Sequence, residues 1–382
     1  MHTKTNMEEE EAGGVLRGRS RREECIPYLL CIFSAVCFAG FNIISKVYLN
    51  KGMSVYVLVA YGHAFGTLTT AFLAILFERN NQSKISIPIF RNIFFLGLLG
   101  AILGRTLFYK GLEYTSPIFA SALANTQPSI TFIFAVLFRM EKLEISKLGG
   151  QAKVGGTAIA LAGATTITLY KGIAVISSRT KDSHQTSSSI GSIDKDWIKG
   201  SLMLIVSYIS LSLFFILQTK TIKMYPAPMT LTALTCLSGT LLSTIMTAIL
   251  DHKAASWRLS WNITLLAPLY SGIVVFGIIA YVQTLILRRK GPVFTIAFRP
   301  LNTVMVAIMG VLILREALHF GRYIDISCTS ILYIWISCII GALLIVIGLY
   351  AILWGKKKEK EKDTVEHTTV SQQVDAEIKL EK

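Results

Sequence analysis

The sequence predicts an all-α integral membrane protein with ten transmembrane helices, arranged as two inverted repeats of five helices each. Three observations predict this fold: the residues are 52% apolar and only 16% charged, ten apolar stretches are long enough to cross a bilayer, and the second half of the chain repeats a pattern of the first. Although the formal charge is +15, a mean hydropathy of +0.55 argues against a soluble nucleic-acid-binding protein, so no nucleic-acid partner is expected.

The ten apolar stretches define the predicted spans. Because the hydrocarbon layer is about 30 Å thick and each helical residue adds about 1.5 Å, a span needs about 20 mainly apolar residues. Backbone polar groups cannot stay unpaired in lipid, so stretches of this length are predicted to be helices. The spans are Pro27 to Ser45, Val55 to Phe77, Ile93 to Leu112, Ile118 to Phe138, Val154 to Tyr170, Ile198 to Gln218, Met229 to Leu250, Leu265 to Leu287, Val293 to Leu314 and Ser330 to Trp354.

Charge distribution predicts the orientation of these spans. Lys and Arg residues in the loops and tails and at the ends of the spans number 24 on the side of the two termini and 12 on the other side, and the positive-inside rule then places both termini in the cytosol. A Ser/Thr-rich stretch near the middle of the chain is typical of a tether between two halves. The predicted organisation is an N-terminal cytosolic tail at 1–26, a first repeat at 27–170, a linker loop at 171–197, a second repeat at 198–354 and a C-terminal cytosolic tail at 355–382.

An internal repeat relates the two halves at an offset of 175 residues. Pro117 aligns with Pro292 and Glu141 with Glu316, with apolar matches between them, and the spacing of Gly156 and Gly163 recurs at Gly341 and Gly348. Each half then holds five spans, and an odd number of crossings inverts the second copy in the membrane. Inverted repeats are typical of carriers that work by alternating access, so the repeat favours transport.

Several sequence motifs resemble a known family. They are F-N-I-I-S-K-V-Y-L-N-K-G-M from Phe41, Y-G-H-A-F-G-T from Tyr61, Y-T-S-P-I-F-A-S-A-L-A-N from Tyr114, P-S-I-T-F from Pro128, F-R-M-E from Phe138 and R-P-L-N-T-V from Arg299. In this combination the chain resembles the plant EamA-domain proteins of the drug/metabolite transporter superfamily, the walls-are-thin-related (UMAMIT, nodulin-like) group. The resemblance covers about residues 27 to 355 and implies two five-helix EamA repeats, cytosolic termini and transport of amino acids or related metabolites such as auxin.

The chain departs from the family pattern at a few positions. Family members usually carry Arg at the position of Gly62, Gly at that of Arg315 and often Asn at that of Arg299. The family pattern also lacks the sixteen residues at 325–340. We interpret this segment as an insertion that comes from aberrant splicing or from an incorrectly predicted exon. The insertion bears on how the tenth helix packs.

Polar residues inside the spans are the candidate substrate-binding residues. Placing Arg or Lys near a helix centre costs about 2.5–3.5 kcal/mol, so such residues usually face a cavity or a partner. Arg299 lies beside Pro300 with Asn302 on the same helical face, and the alternative role for Arg299 is snorkelling to the cytosolic surface. For the other candidates the alternatives are structural pairing or polar contacts between helices. The predicted substrate-binding residues are Asn42, Arg105, Tyr109, Asn125, Gln127, Arg299 and Asn302.

Inverted symmetry relates two of these clusters. Adding the 175-residue offset to Asn125 and Gln127 leads to positions 300 and 302, next to Arg299. We therefore expect both clusters to line one central cavity near the midplane. Four further residues are candidates for gating or proton transfer: Lys46, His63, Glu141 and Glu316. Their structural alternatives are snorkelling for Lys46, a hydrogen bond between helices for His63, and helix-end charge for the two glutamates.

Other functions are disfavoured by what the sequence lacks. It has no G-x-x-x-x-G-K-[ST] loop for ATP, no inward-facing acid and base pair, no Ser/His/Asp set and no repeated filter of an ion channel. An intramembrane enzyme is therefore the less favoured alternative, and neither a cofactor nor a metal is expected. The expected partners are a small-molecule substrate and membrane lipids, with association of two copies left open. The plasma membrane is the expected location and the vacuolar membrane the alternative.

Overall fold

The computed structural model is all-helical, with no strand among the residues it describes. Those residues are 25–42, 44–45, 54–79, 85–115, 126–141, 148–163, 190–251, 263–299 and 301–302, with the isolated residues 120, 123–124, 257 and 305 and discontinuous residues between 340 and 358. Six helices within them are long and apolar enough to cross a membrane. The chain is therefore a multi-pass integral membrane protein, as predicted.

The helices follow the predicted spans in order. They are α1 Cys25–Asn42, α2 Val55–Phe77, α3 Ile87–Tyr114, α4 Gln127–Leu137, α5 at 148–163, α6 Ile190–Met224, α7 Pro228–Leu250, α8 from Ile263 to Lys290, α9 Pro292–Ala297 and α10, whose helical residues lie between 340 and 355. Helix α6 begins inside the segment predicted as a linker. Only parts of the fourth, fifth, ninth and tenth spans are described, so the count of ten stays a prediction. The predicted insertion lies outside the described residues except for Ile340.

Two compact units make up the chain. The first combines Met1–Lys110 with Leu213–Leu318, and the second combines Gly111–Ser212 with His319–Lys382. Each unit therefore contains parts of both sequence repeats. The first holds α1, α2, α7 and α8 with most of α3, and the second holds α4, α5, the first part of α6 and α10.

Helix bounds in the first unit reveal the repeat more sharply than the sequence does. Helices α2 and α7 are both 23 residues long, and each bound of α7 lies 173 positions after the matching bound of α2. The middle of α3, Leu98–Thr106, and the middle of α8, Ser271–Ile279, are nine-residue π-helical segments related by the same offset. Because π-helical segments are rare, their recurrence at equivalent positions indicates structural repetition and not chance.

The repeat-equivalent residues Thr67 and Thr240 meet where α2 packs on α7. Their hydroxyl oxygens lie 3.1 Å apart across 173 positions of sequence. One turn on, Thr70 donates to the Gly66 carbonyl at 2.7 Å, and Ser243 donates to the Gly239 carbonyl at 2.6 Å in the same way. A contact between equivalent residues with matching neighbours places a pseudo-two-fold axis at this point.

The end of α2 is joined to the start of α7 by the Glu78 carboxylate. Its two oxygens accept hydrogen bonds from the backbone N–H groups of Met229, at 2.9 Å, and Thr230, at 2.8 Å. These amides are among the unpaired donors of a helix N-terminus, where the helix dipole also favours negative charge. Burial and the neighbouring Glu78 carboxylate raise the pKa of Tyr225 in the link before α7. The end of α2 and the start of α7 therefore lie at the same membrane face.

In the second unit, α5 and α10 pack through glycines spaced by seven residues. A Cβ atom added at Gly156 would lie 2.6 Å from the Gly348 carbonyl oxygen, and one added at Gly355 would lie 2.6 Å from that of Gly149. As the contacts advance along α5 they retreat along α10, so the helices are antiparallel. Small residues at such a crossing let two helix backbones approach closely in a membrane.

We expect Gly156→Ala to destabilise the protein by about 1–3 kcal/mol, because the added methyl group overpacks the crossing of α5 and α10. Gly155→Ala is the matched control, since a Cβ at Gly155 meets nothing within 4 Å. Thermal unfolding in detergent measures both variants. Equal unfolding temperatures for the two variants would contradict the glycine-mediated packing.

Candidate functional site

A small cavity of about 30 Å³ in the first unit lies between α1, α8 and the chain at and after α9. This volume has room for about two water molecules and is far below the range for small-molecule sites, about 300–1,000 Å³, so the cavity must widen to admit a metabolite. Tyr28, at the start of α1, packs edge-to-face on Phe294 and Phe298 near the start of α9, with ring centroids 5.2 and 6.1 Å away. The lining residues are Cys31, Ser34, Ala35, Phe38, Gln283, Ile286, Thr295, Phe298, Arg299 and Asn302.

The cavity brings together Arg299 and Asn302, two of the predicted substrate-binding residues. The Arg299 guanidinium carbon lies 5.5 Å from the centroid of the Phe38 ring, a cation–π distance. The side-chain oxygen Oδ1 of Asn302 is buried and has no hydrogen-bond partner among the described residues. A buried acceptor without a partner costs about 1–3 kcal/mol, so this oxygen is suited to accept a hydrogen bond from a ligand.

Arg105 lies beside this cavity and shares one of its walls. Its guanidinium carbon is 5.7 Å from the centroid of Phe38 and 5.0 Å from that of Phe276, and the side chain also interacts with Tyr109 one turn along α3. Phe38 therefore contacts both arginines. Arg105 lies in the last turn of the π-helical segment. In the same turn the side-chain hydroxyl of Thr106 donates a hydrogen bond to the Ala101 carbonyl, five residues back.

Two other predicted residues of the first unit do not line the cavity. Tyr109 is buried in an apolar cluster with Phe38 and Phe41, and Asn42 is half-buried at the end of α1. Their positions fit support of the cavity wall better than direct contact with its contents.

His63 is packed between helices and not in the cavity. Its Nδ1 atom donates to the Val59 carbonyl at 2.9 Å, because a carbonyl can only accept. The ring lies 3.9 Å from that of Phe276, centroid to centroid, and is 6% exposed. These contacts match the structural alternative given for His63.

The second unit holds two further predicted residues. Gln127, the first residue of α4, is fully buried, and neither its side-chain oxygen nor its nitrogen has a hydrogen-bond partner in the described part of the chain. Glu141 pairs with Lys153 of α5 at 3.4 Å, and the two side chains are 10% and 2% exposed. Lys46, Asn125 and Glu316 lie outside the described residues. The shared cavity for the Asn125 and Arg299 clusters stays a prediction.

Sequence reasoning predicted a cavity residue on α1, Asn42, but missed the four residues of α1 that line the cavity. Cys31, Ser34, Ala35 and Phe38 follow i, i+3, i+4, i+7 spacing and so share one helical face. A face of small and weakly polar residues was the available signal, but apolar residues on a span carry no mark of whether they face lipid or protein. Gln283 also lines the cavity and is not among the predicted substrate-binding residues.

Comparison with known proteins identifies the family. Residues 26–169 match the profile of the EamA-like transporter family. WAT1-related protein At5g07050 of Arabidopsis thaliana is 44% identical over 344 residues, which cover 88% of this chain and 82% of the relative. The chain belongs to the WAT1-related family of EamA-like transporters. WAT1-related protein At1g21890 of the same plant is 38% identical, covering 90% of this chain and 87% of that protein.

A solved structure supports the fold of this WAT1-related chain. The solved structure, described only as the crystal structure of a protein, superposes on this chain with a TM-score of 0.57 at 17% identity. The match covers 86% of this chain and 98% of the solved one. Family membership makes this chain a membrane transporter of small metabolites. The predicted resemblance is confirmed.

We expect His63→Gln to lower the free energy of unfolding by about 1–3 kcal/mol, because a buried hydrogen bond and an aromatic contact are lost. The pH dependence of transport should stay that of the unmodified protein, since the ring acts through packing. Thermal unfolding and uptake at several pH values measure the two effects. A flattened pH profile in a variant of normal stability would instead assign His63 a role in proton transfer.

Proposed function

We propose that this WAT1-related transporter carries amino acids by alternating access, with Arg299 holding the substrate carboxylate. The observation that carries the proposal is the pairing, in one cavity, of a guanidinium with the unpartnered Asn302 oxygen. A guanidinium binds a carboxylate through two parallel hydrogen bonds. The Asn302 acceptor suits the ammonium group of the same molecule, because ammonium groups only donate.

The aromatic and apolar residues of the cavity suit the remainder of such a substrate. Phe38, Phe298 and Ile286 supply contact surface, and the cavity of about 30 Å³ widens to hold a single small metabolite when the carrier changes state. Arg105 contributes positive charge beside the cavity through the shared Phe38 ring. The predicted participation of Asn42, Tyr109, Asn125 and Gln127, and gating by Lys46, Glu141 and Glu316, belong to the same proposal.

Auxin or another organic acid is the second candidate substrate. It has the carboxylate that suits Arg299 but no ammonium group for Asn302, and the unpartnered Asn302 oxygen therefore favours the amino acid. Radiolabelled amino-acid and auxin flux in oocytes, with pH varied across the membrane, tests both. If neither moves at any pH, the proposed substrate classes are wrong.

We also propose that both termini are cytosolic and that the protein acts in the plasma membrane, with the vacuolar membrane as the alternative. The charge excess on the side of the termini supports the orientation. The Glu78 contact is consistent with it, because alternating spans bring the end of α2 and the start of α7 to one face.

We expect Arg299→Lys to lower uptake at limiting substrate by roughly 10- to 100-fold, because hydrogen bonds between charged groups contribute about 1.5–3 kcal/mol and an ammonium cannot reproduce the two-pronged geometry. Surface expression should be unchanged. Initial uptake rates normalised to surface protein measure the effect. Normal uptake would show that Arg299 only snorkels.

We expect Asn302→Leu to reduce amino-acid uptake less than Arg299→Lys does, and to leave inhibition by the deaminated analogue of the same substrate unchanged. The reason is that only the acceptor for the ammonium group is removed. Competition assays with the amino acid and its analogue measure the two affinities. Equal loss of affinity for both compounds would contradict the role given to Asn302.

A further inference from the structure

The repeat relates the cavity in the first unit to a set of residues in the second unit. Applying the offset of 173 to α1 leads from Cys31, Ala35 and Phe38 to Leu204, Tyr208 and Leu211 of α6. Applying the offset of 175 to the chain at α9 leads from Thr295 to Ala120 and from Asn302 to Gln127. We call the residues Leu204, Tyr208, Leu211, Ala120 and Gln127 the counterpart site.

The counterpart site is closed where the cavity is open. Its Tyr208 hydroxyl donates a hydrogen bond to the Ala120 carbonyl at 2.8 Å, and both residues are buried. At the equivalent positions the cavity is lined by Ala35, a smaller residue than its equivalent Tyr208, and by Thr295, the equivalent of Ala120. Leu204, equivalent to Cys31, packs against Gly111, where an added Cβ would lie 2.7 Å from the leucine Cγ. Bulkier side chains on α6 thus fill the counterpart site.

Polar groups are enclosed along the same part of α4. Gln127 and Thr131 lie one turn apart on one helical face, and both are 0% exposed. The side-chain oxygen of each residue, and the side-chain nitrogen of Gln127, have no hydrogen-bond partner among the described residues. Buried polar groups are usually paired, so such a group without a partner requires an explanation. These groups find partners when water or a ligand reaches them.

We propose that Tyr208 is the gate of the counterpart site, and that its release from the Ala120 carbonyl opens a path to Gln127 and Thr131, which then bind the polar groups of the substrate. The inference rests on the proposed alternating access. In the predicted ten-span topology successive spans alternate in direction, so α4 and α6 would begin at the membrane face opposite to the start of α1. On that topology the closed counterpart site corresponds to a closed path at the opposite face.

The gate is held by contacts that can be exchanged. The Tyr208 hydroxyl donates to a backbone carbonyl, and Gln127 and Thr131, which have no hydrogen-bond partner among the described residues, gain partners when the site opens. The inverted repeat supplies the target geometry, because the cavity is the more open form of the same arrangement. Asn302, the equivalent of Gln127, lines that open form.

Cysteine labelling tests the gate without a known substrate. Two full-length chains each keep a single cysteine, one the native Cys31 of the cavity and the other Thr131→Cys, a near-isosteric change at a buried position. A membrane-impermeant maleimide labels Cys31 from the membrane face at which α1 begins. The same reagent is applied from the opposite face to label the cysteine at position 131. Tyr208→Phe is then introduced into each chain, removing the hydroxyl and keeping the ring.

Tyr208→Phe should raise the labelling rate at position 131 by roughly two- to tenfold, the factor expected for one neutral hydrogen bond, and should not raise labelling of Cys31. Tyr270→Phe is the matched control, because the Tyr270 hydroxyl also donates to a backbone carbonyl, that of Cys37, at 3.1 Å. It should leave labelling at position 131 unchanged.

Three results would overturn the gate: no change at position 131, faster labelling at both positions, which indicates general loosening, or an equal effect of Tyr270→Phe. Flux assays on the unmodified protein separate this inference from the proposed function. Faster labelling at position 131 alone, together with an unmodified protein that moves neither amino acids nor auxin, would support the gate and refute the proposed substrates.

Discussion

The contact between Thr67 and Thr240 is the point about which the first unit is arranged. The two hydroxyls meet at 3.1 Å where α2 crosses α7, and the residues around them are related in pairs by the 173-residue offset. In lipid, apolar contact does not distinguish a neighbouring helix from acyl chains, so close packing and polar contacts between helices decide which faces meet. The small residues Gly66 and Gly239 next to these threonines allow that approach.

The repeat is symmetric in its backbone and asymmetric in its side chains. Helix bounds and π-helical segments match between the halves, whereas Ala35 corresponds to Tyr208 and Cys31 to Leu204. One arrangement of helices thus gives a cavity in one unit and a filled site in the other. The proposed alternating access requires two states of similar energy, and a repeat whose equivalent side chains differ in this way fits that requirement.

Cationic side chains in this protein are held by aromatic rings as well as by polar partners. Phe38 lies 5.5 Å from the Arg299 guanidinium and 5.7 Å from that of Arg105, and Phe276 adds a second ring at Arg105. Such contacts stabilise a charge away from bulk water without neutralising it.

The sequence by itself determined the helical membrane class, the spans, the repeat and the face shared by Arg299 and Asn302. These follow from local rules: apolar length decides what crosses the bilayer, and helical spacing decides which residues share a face. Tertiary structure alone decided that Cys31, Ser34 and Phe38 line the cavity, that His63 packs against Phe276, and that the Tyr208 hydroxyl donates to the Ala120 carbonyl. The physical reason is that lipid-facing and protein-facing sides of a span are both apolar, so only the packing of distant helices distinguishes them.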